Sequence, residues 1–236
     1  MITFTHISKK FGKLQALDNI SLNCNQGQGI ALIGPNSSGK TTLIKCLLGM
    51  VVPDSGSILF RGQNIARDWK YRAAIGFMPQ AGRYPENMTI AQVFDMMKDI
   101  RQDEAGAPDE DLVHAFGLHR MLDKRMRTLS GGTRQKVSAC LAFLFNPLVL
   151  VLDEPTAGLD PVASGILKDK IHAEIGKGKL VLITSHILSE LDDIASEIVY
   201  LQDGKLKFHK SLQQLRRDTG EEKLVKAIAR VMQTTD

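Results

Sequence analysis

Residues Gly34 to Thr41 read GPNSSGKT, the most informative motif of the sequence. It matches the pattern GxxxxGK[ST] and lies between the apolar run IALIG, typical of a strand, and TTLIKCLLGM, typical of a helix. Backbone N–H groups of such a loop surround phosphate, and the helix N-terminus adds positive charge. A glycine-rich turn that binds nothing is the alternative, but the context and the lysine favour phosphate. The residues that we expect to hold a nucleotide are Gly34, Pro35, Asn36, Ser37, Ser38, Gly39, Lys40, Thr41 and Thr42.

Two side chains of this loop have predicted roles of their own. Lys40 reaches the β- and γ-phosphates and therefore takes part in catalysis, and the Thr41 hydroxyl ligates Mg²⁺. Glycine is needed wherever the backbone must approach phosphate closely.

The segments around the loop alternate between apolar strands and helices. Strands are predicted at ITFTHI, ISLNC, IALIG, IGFMP, LVLVLDE and LVLITSH, with two shorter ones in PDSGSILFRGQNI. Helices are predicted across about Thr89 to Phe145 and at SGILKDKIHAEIGKG. Buried strands that alternate with helices predict a parallel sheet, which binds ligands at the carboxyl ends of its strands.

Polar residues follow three of these strands. We expect Asp153 to hold Mg²⁺ through water and Glu154 to act as general base on the attacking water. His186 is expected to reach a γ-phosphate, and Gln80 to contact Mg²⁺ or the attacking water. The alternative is that the acids merely end a strand and that His186 is structural. A phosphate loop opposite these residues favours the catalytic interpretation.

Composition narrows the class of protein. The 236 residues suit one large domain, and no run approaches the roughly 20 apolar residues of a membrane span. The start lacks the order of a secretory signal, and the three cysteines form no CxxC pair, which favours a reducing cytosol. The net charge of +4 is carried by scattered Lys and Arg, so no nucleic-acid partner is expected.

The runs LSGGT (Leu129 to Thr133) and LDEPTAGLDP (Leu152 to Pro161) resemble the ABC ATPase family, and the resemblance covers almost the whole chain. It implies an α/β phosphate-loop NTPase with a RecA-like core, an antiparallel β subdomain and a helical subdomain at about 89–145. The implied ATPase domain spans 1–210, and a short C-terminal helical tail spans 211–236.

The resemblance also implies cofactors and a second copy of the chain. ATP and Mg²⁺ would be bound between two copies packed head to tail. Ser130, Gly131 and Gly132 of one copy would close on the γ-phosphate held by the other. Asp160 resembles the aspartate that communicates between the two sites. Phe11 resembles the aromatic that stacks on adenine, although an isolated Phe near a strand end is usually core.

Two departures from the family pattern stand out. Thr133 replaces the usual glutamine after LSGG, and Ser37-Ser38 replace a Gly-Ala pair. Activity is expected to survive both changes, with a weaker or differently tuned contact between the copies. A scaffold that binds ATP and hardly hydrolyses it stays open as an alternative because of Thr133. ABC ATPases that act on ribosomes or DNA ordinarily carry two fused copies or long coiled-coil insertions, and this sequence has neither.

Longer stretches resemble NosF-type ATPases, namely DWKYRAAIGFMPQAGRYPENMTIAQVF from Asp68, the GGTRQK variant of the signature, PVASGILKDKI and TSHILSELDDIA. That family implies an integral membrane permease (NosY-like) and, indirectly, a periplasmic protein (NosD-like), in copper-site maturation of nitrous oxide reductase. The implied location is the cytoplasmic face of the bacterial inner membrane. Multidrug and gliding-type ATPases look broadly similar, so their export systems remain alternatives.

Sulfur-containing residues do not predict a copper site. Cys46 and Cys140 fall in predicted helices where small apolar residues are expected, and the methionines follow core spacing. By the resemblance, the surface from Gln80 to about Phe94 receives a short helix of the membrane partner. In the tail, Leu224, Ile228 and Val231 share one helical face, and the sequence leaves its contact undecided.

Overall fold

The computed structural model describes residues 1–101 and 107–233, which contain two β-sheets, seven α-helices and four short 3₁₀ helices. The strands are β1 (Ile2–Phe11), β2 (Leu14–Cys24), β3 (Gly29–Ile33), β4 (Ser55–Phe60), β5 (Gln63–Asn64), β6 (Ile75–Met78), β7 (Val149–Asp153), β8 (Leu180–Thr184), β9 (Glu197–Gln202) and β10 (Lys205–Ser211). The helices are α1 (Lys40–Leu47), α2 (Ile90–Ile100), α3 (Asp111–Ala115), α4 (Gly131–Phe143), α5 (Pro161–Gly176), α6 (Leu212–Thr219) and α7 (Leu224–Gln233).

The larger sheet has the strand order β10-β9-β3-β8-β7-β6. The predicted strands β3, β8, β7 and β6 run parallel, as expected. Strand β9, which was not predicted, runs parallel with them, and β10 adds an antiparallel edge. The phosphate loop follows β3, His186 follows β8, Asp153 and Glu154 stand at the end of β7, and Gln80 follows β6. The predicted polar residues therefore lie together at the carboxyl ends of four neighbouring strands.

Both faces of this sheet are buried. In β7, Val149 and Val151 belong to one apolar cluster and Leu150 and Leu152 to another, because successive side chains of a strand point to opposite faces. The first cluster includes α1 and the smaller antiparallel sheet, and the second includes helices of the rest of the chain. This two-sided burial explains why β3, β7 and β8 read as continuous apolar runs.

The smaller sheet, β2-β1-β4-β5, is antiparallel throughout. Strand β2 is longer than the predicted ISLNC because it pairs with β1 from Leu14 onward, through several register shifts. Helices α2, α3 and α4 occupy the stretch that was predicted to be helical, and α2 begins with a capping box formed by Thr89 and Gln92. The boundaries of the helical subdomain and of the domain at 1–210 stay predictions. Within the predicted loop RQDEAGAPDEDL, residues 102–106 lie outside the described residues.

The C-terminal tail packs on its own chain. Leu224 and Ile228 are buried in the helical-side cluster, and Val231 packs against it. The backbone N–H of Leu224 donates to Asp192 Oδ1 at 3.1 Å, and Arg216 pairs with the same carboxylate oxygen at 3.1 Å. The contact that the sequence left undecided is therefore made within the chain. In the two described ranges, no helix has the length and hydrophobicity that a membrane crossing requires.

Candidate nucleotide-binding and hydrolysis site

The loop between β3 and α1 has a backbone that demands glycine at its two ends. Gly34 has a φ of 145°, and a Cβ there would lie 2.0 Å from the carbonyl oxygen of Leu201. Gly39 has a φ of 106°, and its Cβ would lie 2.6 Å from the carbonyl oxygen of Ala16. The loop is thus pressed against β2 and the end of β9, where no side chain fits.

The serine pair that departs from the family pattern occupies the middle of this loop. Ser37 adopts a φ of 65°, in the left-handed region that favours glycine and costs other residues about 1–2 kcal/mol. Ser38 is buried, its N–H donates to Pro35 O at 3.2 Å, and its carbonyl accepts from the N–H of Gly204 at 3.2 Å. These contacts fix the buried Ser38, the residue next to the strained Ser37.

Lys40 lies across its own loop. Its ammonium donates to the carbonyl oxygens of Gly34 at 2.7 Å and Pro35 at 3.0 Å, and to Ser38 Oγ at 3.4 Å. Burial lowers the pKa of Lys40, while the nearby charges of Glu154 and Asp153 partly oppose this shift. The ammonium therefore lies on the phosphate loop, and its contact with the phosphates stays a prediction.

Asp153 is oriented by a residue that the sequence analysis missed. Asp153 and Thr184 are register partners on the parallel strands β7 and β8, and Thr184 Oγ1 donates to Asp153 Oδ1 at 2.5 Å. The signal for Thr184 lies in the quoted run LVLITSH, where a hydroxyl precedes His186 at a strand end. Recognising it requires knowing that β8 neighbours β7.

Glu154 is fixed on both its backbone and its side chain. Its φ is 52°, and its N–H donates to the carbonyl oxygen of Thr184 at 3.1 Å. Glu154 Oε2 lies 2.8 Å from Nδ1 of His186 and accepts from the His186 backbone N–H at 3.3 Å. The Glu154 side chain is 12% exposed and that of His186 66% exposed, so a shielded carboxylate is held by an accessible imidazole.

Gln80 and Phe11 both reach solvent. Gln80 lies just beyond the end of β6 and is exposed. Phe11 ends β1, is 49% exposed, and its ring centroid lies 5.5 Å from Lys9 Nζ. The core alternative for Phe11 is therefore wrong. An exposed aromatic ring suits stacking on a base, and that role stays a prediction.

The residues of the signature run stand at the start of α4. Ser130 caps this helix by accepting from the Thr133 N–H at 3.2 Å, and its Oγ lies 2.9 Å from Thr133 Oγ1. A Cβ on Gly131 would meet nothing within 4 Å, whereas one on Gly132 would lie 2.7 Å from the carbonyl oxygen of Gly158. Ser130 is thus bonded within its own helix and not to the phosphate loop of the same chain.

Asp160 has a structural position that the sequence analysis did not assign. It caps α5 by accepting from the Ala163 N–H at 2.9 Å, and it pairs with Lys136 at 2.9 Å. These two partners, the backbone N–H first, lower the pKa of Asp160. A second missed residue, Gln135, lies inside the signature helix and donates to the carbonyl oxygen of Glu154 at 3.2 Å.

The predicted magnesium donors suit the ion. Thr41, Gln80 and Asp153 offer hydroxyl, amide and carboxylate oxygens, and Mg²⁺ takes few such protein ligands beside water and phosphate. Among the described residues, no group of three or more His, Cys, Asp or Glu side chains is arranged to hold a metal. The donor chemistry therefore fits Mg²⁺ held jointly with a nucleotide.

The cysteines belong to the core, as expected. Cys24, Cys46 and Cys140 are all buried, and burial raises the pKa of Cys24 to about 12 and of Cys46 to about 11. Thiolate is the form that binds soft metals, so these positions are poor copper ligands.

Comparison with known proteins identifies the family. Residues 17–157, which span the phosphate loop, LSGGT, Asp153 and Glu154, match the ABC transporter family. The chain belongs to the ABC transporter family. As a member it is an ABC-type ATPase that uses ATP with Mg²⁺, and ATPases of this family dimerise and pair with membrane permease subunits.

Similar proteins are named for export or transport. The chain is 30% identical over 208 residues to the Nod factor export ATP-binding protein I of Paraburkholderia xenovorans (strain LB400), covering 86% of this chain and 68% of the relative. It is 32% identical over 215 residues to the lantibiotic transport ATP-binding protein SrtF of Streptococcus pyogenes, covering 89% and 90%. A solved ATP-binding subunit of an ABC transporter superposes with a TM-score of 0.90 at 26% identity, covering 100% of both chains.

Proposed function

We propose that this chain is the ATPase subunit of an export-type ABC complex, in which ATP closes a head-to-tail pair of chains and hydrolysis reopens it. The observation that carries this proposal is the arrangement of Glu154. The carboxylate is shielded and bonded to His186 at 2.8 Å. Glu154 directly follows β7, and His186 follows the neighbouring strand β8. A binding module needs no such oriented base.

Each residue of the sheet edge has a task in this proposal. ATP supplies the phosphoanhydride bond that is broken. Lys40 and the loop N–H groups hold the phosphates, and Asp153, oriented by Thr184, holds the Mg²⁺ shell. Glu154 takes a proton from the attacking water, and His186 fixes the carboxylate that receives it.

A second chain completes the site. Ser130 begins α4 at an exposed position and bonds to Thr133 rather than to its own phosphate loop. The N-terminus of a helix of this length is suited to bind an anion. The phosphate loop of a partner copy would supply that anion, so ATP would hold the two chains together.

A groove beside the site fits the membrane partner. It measures about 370 Å³ and runs from the end of β6 to α2 and α4. Its walls are apolar and aromatic, with Phe77, Tyr84 and Phe145 among them, and Arg72 and Arg83 add positive charge. We assign it to a short segment of an integral permease, which would place the chain on the cytoplasmic face of a bacterial inner membrane.

Two classes of cargo are compatible with an ATPase subunit of this kind. The stretches that resemble NosF-type ATPases support a NosY-like permease, a NosD-like periplasmic protein and copper-site maturation of nitrous oxide reductase. The names of the relatives support export of a Nod factor or transport of a lantibiotic. In either case the cargo contacts the permease rather than this chain.

Affinity purification of the tagged chain from detergent-solubilised membranes tests the proposal. Met50 lines the groove and is 61% exposed, whereas nearby Val52 is 77% exposed and lies outside it. Recovery of a polytopic permease with the wild type and Val52→Lys, and its loss with Met50→Lys, is the expected result. A co-purified periplasmic copper-maturation protein would select the NosF-type cargo, and an exporter permease the other. Ribosomal proteins without a permease would overturn the membrane assignment.

A further inference from the structure

One face of helix α4 lies along the loop that follows Glu154. Gly132, Gln135 and Lys136 share this face, because residues three and four apart are neighbours on a helix. A Cβ on Gly132 would lie 2.7 Å from Gly158 O, and Lys136 pairs with Asp160 at 2.9 Å. The helix therefore meets both the middle and the far end of the loop.

Gln135 makes the contact nearest to the base. Its side chain is only 6% exposed, and Nε2 donates to the carbonyl oxygens of Glu154 at 3.2 Å and Pro155 at 3.5 Å. Because both partners are carbonyl oxygens, only the NH₂ end of the amide satisfies them, which fixes the orientation of the side chain. These two hydrogen bonds show that the buried amide does more than fill space in the core.

The backbone is strained at Glu154, whose carbonyl oxygen accepts the hydrogen bond from Gln135. Glu154 has a φ of 52°, and such a conformation in a residue with a side chain persists only when neighbours hold it. Strand β8 holds the N–H through Thr184, and α4 holds the carbonyl through Gln135. Loss of either anchor lets the peptide rotate and carries the carboxylate away from His186.

The same helix begins at Ser130, the residue expected to meet the partner's nucleotide. Gln135 follows about 7.5 Å along the axis, at about 1.5 Å per residue. A hydrogen-bonded helix of this length moves as a rigid rod, so a displacement of its N-terminus reaches Gln135.

We propose that Gln135 is a positioning residue that couples α4 to the base Glu154. Hydrolysis of the ATP on a chain's own phosphate loop then depends on whether α4 of that chain has engaged the ATP held by the partner. This inference rests on the proposed function, because it needs Glu154 as base and Ser130 at the partner's site. It adds a coupling path inside one chain. Each chain would then hydrolyse its own ATP only when its α4 is seated on the partner.

Gln135→Leu, which removes the amide and keeps most of the volume, tests the proposal in the full-length chain. Val137→Ala is the matched control, since Val137 is buried on the same helix and belongs to the apolar cluster. We expect Gln135→Leu to lower kcat at least about tenfold while ATP affinity is unchanged, as displaced catalytic groups do. Val137→Ala should lower the Tm and leave kcat close to that of the wild type.

Gln135→Glu supplies a readout that a purely structural role would not move. The ionised carboxylate cannot donate to the carbonyl oxygens of Glu154 and Pro155, whereas the protonated acid can. The ratio of its kcat to that of the wild type should therefore rise as pH falls. This variant also decides the matter if Gln135→Leu does not fold.

Three results would overturn the proposal: wild-type kcat in Gln135→Leu, equal losses of kcat in Gln135→Leu and Val137→Ala, or a pH-independent ratio for Gln135→Glu. Failure of the proposed function looks different. If Glu154→Gln hydrolysed ATP at the wild-type rate, Glu154 would be excluded as the general base, whatever the Gln135 variants show.

Discussion

At the scale of single residues, the site depends on one glutamate held from several sides. His186 holds the carboxylate of Glu154, Thr184 holds its N–H, and Gln135 holds its carbonyl. The backbone is strained at this residue, with a φ of 52°. Strain that neighbours hold in place is typical of a preorganised catalytic group.

Replacement of Glu154 by Gln should cut ATP turnover about 100-fold or more, because the amide cannot take the proton of the attacking water. ATP binding should persist, since the phosphate loop is untouched. Steady-state phosphate release and equilibrium ATP binding measure the two effects. The exposed Glu222, changed to Gln, controls for the change in charge. Turnover of Glu154→Gln equal to that of the control would remove Glu154 from the role of base.

Replacement of Lys40 by Ala should instead weaken nucleotide binding. Hydrogen bonds to charged groups contribute about 1.5–3 kcal/mol, so we expect ATP affinity to fall about 10- to 100-fold. Lys45→Ala on the exposed side of α1 is the matched control and should bind ATP normally. Isothermal titration measures both affinities. Equal affinities in the two variants would contradict the assignment of Lys40 to the phosphates.

Residue types and spacing predicted the residues at the ends of β3, β6, β7 and β8, because the pattern of the loop and the apolar strands is local. Thr184 and Gln135 could not be predicted in this way. The role of Thr184 depends on β8 lying beside β7, and that of Gln135 on α4 lying over the loop after β7. Both contacts are tertiary, so the local sequence alone does not define them.

At the scale of elements, a buried ion cluster joins α5 to α3. Lys170 on α5 is 8% exposed and pairs with Asp109 at 2.6 Å and Asp111 at 2.8 Å. Glu174, fully buried one turn further along α5, pairs with Lys177 at 2.8 Å and also with Lys179. Burial alone would raise the pKa of Glu174, but the bonds from Lys177 and Lys179 outweigh it and the pKa is lowered.

Glu174→Gln should destabilise the protein by about 3 kcal/mol, because it leaves the largely buried Lys179 without its counter-charge. For a chain of this size we expect Tm to fall by about 6–12 °C. Glu110→Gln, which breaks an exposed pair with Lys98, is the control and should cost less than about 1 kcal/mol. Thermal unfolding followed by circular dichroism gives both values.

The cost of Glu174→Gln should depend on pH. Because the folded-state pKa of Glu174 is lowered, its contribution is complete above the unfolded value of about 4.3 and is lost as pH falls through the folded value. The difference in Tm between wild type and variant should therefore shrink in acid. A constant difference down to about pH 3 would contradict the cluster as the source of the stability.

Element predictions succeeded for three strands buried on both faces and failed for the last two strands. Strands β3, β7 and β8 are continuous apolar runs up to their last residues and were predicted. Strand β10 was not predicted because it is an edge strand that alternates exposed and half-buried residues, and β9 was missed although its central residues are buried. The tail helices were predicted in part, but their contact with Asp192 required the fold.

At the scale of the whole molecule, the residues predicted to bind and hydrolyse ATP and the residue predicted to contact the partner's ATP lie on different parts of the chain. Lys40, Asp153, Glu154 and His186 meet at one edge of the large sheet. Ser130 begins α4 and makes its side-chain bonds within that helix. One chain therefore offers a phosphate loop and a separate anion-binding helix end, which two copies in head-to-tail packing would bring together.

In the proposed mechanism ATP joins two copies of this chain, and hydrolysis separates them. Light scattering of purified Glu154→Gln on a sizing column with MgATP measures this association. We expect twice the chain mass of 26.0 kDa with MgATP and the single-chain mass with MgADP. Ser130→Ala in the same background should weaken the dimer. A single-chain mass at saturating MgATP would contradict the shared site and with it the proposed mechanism.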